Sequence, residues 1–93
     1  VKTSRRFPYG KIEVFVNVRK NLIESLTIAG DFFEKRPIGE FTEHFRNIPF
    51  SETAVSEVLD KVSFGDFIEG STNDDIRSLL SEGGINSEKN SSL

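Results

Sequence analysis

The sequence predicts an α+β fold: a three-stranded antiparallel meander followed by three short helices packed on one face of the sheet. Three observations lead there. Apolar residues recur every second position through the first thirty residues, then at helical spacing after Pro37, and turn-forming residues punctuate the junctions between runs.

Val1, Thr3 and Phe7 lie at strand-compatible spacing, which predicts a first strand over 2–7. Pro8-Tyr9-Gly10 then supplies turn chemistry, since proline fixes φ and glycine permits positive φ. Ile12, Val14, Val16 and Val18 alternate with Glu13, Phe15, Asn17 and Arg19, so a second strand over 10–19 buries the valine face. A third, over 22–30, contains the run Ile23 to Ala29, with Leu26 and Ile28 on one face and Ser25 and Thr27 on the other. Between the two sit Arg19, Lys20 and Asn21, and asparagine tolerates the positive φ of a short hairpin loop. The hairpin stops abruptly at Gly30-Asp31-Phe32-Phe33.

Pro37 suits the first position of a helix, and Ile38, Phe41, Phe45 and Ile48 follow at helical spacing, which predicts a helix over 37–46. Pro49 breaks that pattern. Ser51 is placed to cap a second helix with the stripe Ala54, Val55, Val58, Leu59 and Val62. The apolar residues of Phe64-Gly65-Asp66-Phe67 and Ile68-Glu69-Gly70 are expected beneath the helices. Thr72-Asn73-Asp74-Asp75 reads as a capping box ahead of Ile76, Leu79 and Leu80, and Gly83-Gly84 ends this third helix. Residues 1–85 thus form one domain, and the Ser/Asn-rich stretch 86–93 is expected to be a disordered tail.

At 93 residues a single core buries only about 60 to 65 per cent of the unfolded surface, leaving little room for a deep active site. The absence of cysteine excludes disulfides, thiolate nucleophiles and thiolate metal sites, and a single histidine, His44, excludes a multi-histidine metal cage. No apolar run approaches the ~20 residues of a membrane span, so the expectation is a cytoplasmic protein without a membrane partner. Charge is unevenly spread. Residues 1–36 carry eight cations against four acids, a balance of +4, whereas four cations face eleven acids from 37 onward, a balance of −7. That asymmetry fits either a partner of one sign docking on one face or ordinary solvated surface. Nucleic acid is not an expected partner, because no recognition motif accompanies the basic half and the sequence pI is 5.1. The chain opens on Val1, already within strand-like sequence, and reads as a domain excised from a longer protein.

No Gly-rich phosphate loop, nucleophile elbow or metal motif occurs, so no catalytic, cofactor-binding or metal-binding residue is assigned. Asp31 could act as a base, hold a metal or cap the turn; capping is favoured because Asx hydrogen bonding at strand exits is routine. His44, between Phe41 and Phe45, reads as a boundary residue. Phe32 and Phe33 are adjacent, so either both enter the core through a turn or one stays outside as a docking anchor. Arg5 and Arg6 point to opposite faces of their strand and are either solvated charge or an anion site.

Taken together, Arg6-Phe7 with Gly10, Ile12-Glu13-Val14, the hairpin, Ile23, Ile28 and Gly30-Asp31-Phe32-Phe33, followed by three short helices, resemble the C-terminal accessory domain of bacterial-type lipoate–protein ligases. The resemblance covers about residues 4–82. Asn21 stands where members often carry glycine. The fold so implied is similar to that of iron–sulfur scaffold and sulfur-acceptor proteins, whose cysteines this chain lacks. The resemblance implies a parent enzyme whose larger domain, in cis or in trans, binds lipoate, ATP and Mg²⁺, makes lipoyl-AMP, and passes the lipoyl group to a lysine of an acceptor domain. This chain would bind no cofactor itself and would serve as a lid. Its candidate interdomain contacts are Arg5, Arg6, Gly30, Asp31, Phe32 and Phe33. Two other readings stand beside this one: a general protein-interaction module with no link to lipoate, and a small enzyme using Asp31, Glu34 and His44.

Overall fold

The computed structural model describes residues 1–85; the expectation for 86–93 lies outside the described residues. Three strands, β1 (Lys2–Phe7), β2 (Gly10–Arg19) and β3 (Leu22–Asp31), form an antiparallel sheet in the order β1-β2-β3. Three helices follow: α1 (Ile38–Thr42), α2 (Glu52–Leu59) and α3 (Asn73–Glu82), with 3₁₀ turns at Glu43–Phe45 and Phe64–Asp66. The α+β architecture is as the periodicity predicts.

The hairpin loop has the two residues that the predicted strand bounds leave between them. Only Lys20 and Asn21 lie outside the strands, with φ of 53° and 66°, the paired positive angles of a type I′ turn. The alternation of β2 also misplaces one side chain. Val18, expected in the core, is 39% exposed, whereas Ile23 is fully buried. Asn17 pairs with Ser25 but Val18 pairs with Ile23, so Glu24 is an extra residue in β3. This bulge brings Ile23 and Leu26, three residues apart, onto the same buried side.

Segment 47–50, expected only as a helix break, lies along the outer edge of β3 at that tip. Asn47 donates to the Ile23 carbonyl at 2.7 Å, Ile23 to that of Ile48 at 2.8 Å, and Phe50 to that of Asn21 at 2.9 Å. These bonds satisfy edge groups that would otherwise face solvent.

The first helix is shorter than the predicted 37–46, and Pro37 is its N-cap rather than its first residue. Pro37 has no side-chain acceptor, and the Glu34 carboxylate instead accepts from the Ile38 N–H at 2.6 Å. The helix tightens into a 3₁₀ turn that still places Phe41 and Phe45 inward. Ser51 caps α2 through Ala54 N–H, as expected, although only Val55 and Leu59 of its stripe are fully buried. At α3 the Asp75 carboxylate accepts from Thr72 N–H, and the helix closes in a Schellman arrangement, Ile85 N–H to Leu80 O and Gly84 N–H to Ser81 O. The core lies between sheet and helices. Its centre is the Phe41 ring, with Phe45, Phe64 and Phe67 centroids at 5.1, 5.0 and 5.4 Å.

Candidate functional site

The two turn-side ends of the sheet meet at a crossing that only glycine permits. Gly10 and Gly30 have φ of +138° and +142°, and each lets a neighbouring backbone approach closely. A Cβ on Gly30 would sit 2.0 Å from the Lys11 carbonyl oxygen, and one on Gly10 1.7 Å from that of Asp31. Gly30 is therefore a packing residue of this end of the domain.

Those three residues diverge. The exposed Asp31 carboxylate takes no hydrogen bond or ion pair among the described residues, so the turn cap expected of it is absent. Glu34, three residues further on, caps α1 instead. Phe32 is half-buried and packs against the core; Phe33 is 71% exposed. The alternatives open for the pair thus resolve into one ring in and one ring out. Phe33 is held firmly despite its exposure: its carbonyl accepts from Glu69 N–H at 3.0 Å, and Lys35 N–H donates to the Phe67 carbonyl at 2.7 Å. A large apolar side chain on a hydrogen-bonded backbone has less ordering entropy to lose on docking than one on a free loop.

Arg5 and Arg6 do point apart. Arg6 is exposed and pairs in register with Lys11 on the open face of the sheet. Arg5 turns toward α3, donates to Ser78 Oγ at 2.9 Å, forms an ion pair with Glu82, and lies 5.7 Å from the Phe7 ring centroid. It ties β1 to α3. His44 is exposed and lines a separate cavity of about 310 Å³ with Ile48, Pro49, Ala54, Glu57, Val58 and Lys61. No hydrogen bond joins Asp31, Glu34 and His44, and neither acid lines the histidine's cavity, so the triad required by the small-enzyme reading is not assembled.

Tyr9 is the residue that sequence reasoning passed over. It was legible only as part of a turn, yet its ring stacks on Phe7 at 5.2 Å and 7°, and its hydroxyl donates to Asp75 Oδ2 at 2.7 Å. Burial, reinforced by the hydrogen bond and the negative charge of Asp75, pushes the phenol well above its ordinary pKa. Phe7, Pro8, Tyr9, Gly70, Thr72 and Asp75 line an open notch of about 400 Å³. Gly70 follows Glu69, the residue bonded to Phe33, so notch and exposed ring belong to one aromatic end of the molecule.

Residues 1–80 match the family described as bacterial lipoate protein ligase C-terminus. Lipoate-protein ligase LplJ of Bacillus subtilis is 27% identical over 77 residues, which are 83% of this chain and 23% of LplJ, so the chain spans about a quarter of that relative's length. Among solved structures, a chain from the archaeal lipoylation system of Thermoplasma acidophilum, a bipartite lipoate protein ligase with its E2 lipoyl domain, superposes with a TM-score of 0.65. The sequences are 16% identical, and the match covers 86% of this chain and 92% of that one, a likeness of fold. With more than four-fifths of its length matched, this chain belongs to the bacterial lipoate protein ligase C-terminal domain family.

Proposed function

We propose that this domain is the non-catalytic accessory lid of an ATP-dependent lipoate–protein ligase, closing against the large domain while lipoate is adenylated and withdrawing before transfer to an acceptor-domain lysine. The observation that carries this reading is Phe33, an exposed ring whose following backbone is hydrogen-bonded to residues 67–69, in a chain that spans about a quarter of a full-length relative. A rigid aromatic beside the half-buried Phe32 has the character of an interface anchor. Acyl-adenylates hydrolyse readily, so excluding water during their formation is a use for a domain that contributes no reacting group.

Within this reading ATP, Mg²⁺ and lipoate belong to the large domain. The large domain, in cis or in trans, is the direct partner, and the acceptor domain is reached through it. The reading places the protein in the cytoplasm, where lipoylation substrates would be met; no helix among the described residues is long and apolar enough to cross a membrane.

Phe33→Ala in the full ligase tests it, with lipoyl-AMP formation measured separately from lipoyl transfer. Adenylation is expected to fall by about tenfold or more while the domain's melting temperature stays unchanged. Undiminished adenylation with a folded domain would overturn the reading and favour a general interaction module.

A further inference from the structure

We propose that the notch between the Phe7–Tyr9 stack and the start of α3 receives a lysine or arginine side chain of the large ligase domain, with Asp75 as its counter-ion. This inference rests on the function proposed above. It follows from how α3 meets β1. Along one face of the helix, Asp75, Ser78 and Glu82 all face donors from the sheet side: Ser78 and Glu82 take Arg5, and Thr3 donates to the Leu79 carbonyl between them. At Asp75 the sheet offers a neutral phenol instead of a cation. Asp75 Oδ2 accepts from both Tyr9 and Thr72, while Oδ1 accepts nothing and the carboxylate is in no ion pair among the described residues. The neighbouring acids Glu69 and Asp74 already have Lys35 and Arg77.

The cavity beside this carboxylate, an open notch of about 400 Å³, offers an aromatic wall to a long basic side chain. Its walls include two stacked rings, and Gly70 packs so closely on Tyr9 that a Cβ there would lie 3.2 Å from Tyr9 Cβ. An alkyl stem packs on such rings while its cation reaches a carboxylate, and guanidinium or ammonium groups favour aromatic faces. Gly70 of the notch also follows Glu69, whose N–H donates to the Phe33 carbonyl, so the notch neighbours the residue assigned to the same partner.

Two measurements test the proposal, and it requires both. Adding N-acetylarginine amide to the isotope-labelled 93-residue chain should shift the amide resonances of Tyr9, Gly70 and Thr72, whereas N-acetylglutamate amide should not. In the full ligase, Asp75→Asn keeps acceptors for Thr72 and Tyr9 but removes the charge. It should slow lipoyl-AMP formation roughly five- to tenfold, a deficit that narrows as salt is raised, while Glu57→Gln, an equal loss of charge on α2, leaves the rate unchanged. An absent arginine response, or Asp75→Asn adenylating at the parental rate, overturns it. If Phe33→Ala is impaired when Asp75→Asn is not, the notch assignment falls and the lid function stands; if Phe33→Ala is itself unimpaired, the lid function falls first.

Discussion

A single phenol joins the two halves of the domain, because Tyr9 donates to a carboxylate that also caps α3. The folded state favours the neutral phenol, so its pKa is raised in the fold and ordinary, near 10, in the unfolded chain. The stabilisation is therefore fully present below about pH 10 and declines as alkali is added through the folded-state value. Tyr9→Phe should cost about 1 kcal/mol at neutral pH and lose that alkaline decline. Denaturant titrations across pH will show both, and since the chain has one tyrosine and no tryptophan, phenolate absorbance reports Tyr9 alone. Phe32 and Phe33 show the opposite division of labour: adjacent in an extended segment, one ring joins the core and the other faces outward.

The hairpin is shaped by where its backbone cannot carry a side chain. Gly30→Ala would force a Cβ into the Lys11 carbonyl at a φ that L-residues rarely adopt, and should destabilise the domain by about 3 kcal/mol or more. Gly39→Ala is the contrasting case. Gly39 lies inside α1 at ordinary φ with open space around it, so alanine should stabilise by up to about 1 kcal/mol through helix propensity. Urea unfolding midpoints of the two variants, compared at unchanged slope, separate the effects. The same logic explains α1 itself, a helix of five residues whose stability comes from Phe41 beneath it and from the Glu34 carboxylate at its start.

Across the whole molecule, sheet and helices share one core, and the uneven charge of the two halves is partly neutralised where they meet. Arg5 with Glu82 and Lys35 with Glu69 link the basic first part of the chain to the acidic second, and with much of each side chain exposed these pairs add little to stability. The aromatic core carries far more. A domain of this size is stable by only about 5–10 kcal/mol, and Phe41 touches three other rings from a fully buried position. Phe41→Ala should cost roughly 3–5 kcal/mol and leave the domain barely folded at 37 °C, measurable as a large fall in thermal midpoint.

The strands were legible in the sequence because a period of two needs only one buried face to appear, and their bounds match the turn residues Pro8, Gly10 and Asn21. The caps at Ser51 and Thr72-Asp75 were legible for a similar reason: a helix start is a local hydrogen-bonding problem solved within four residues. The Gly30-Asp31-Phe32-Phe33 stop pointed to the right family. What local pattern could not carry was everything set by contact between distant segments. The bulge at Glu24 reverses the facing of Ile23 and leaves Val18 outside, and Pro37 yields the cap to Glu34. Phe33 is exposed because residues 67–69 pin its backbone, and Tyr9 meets Asp75 across 66 residues of chain. Sequence alone determined the elements and the family, since both are written in short-range spacing. The candidate docking end was decided by tertiary structure, because it exists only where the β1–β2 turn, the end of β3 and the start of α3 converge.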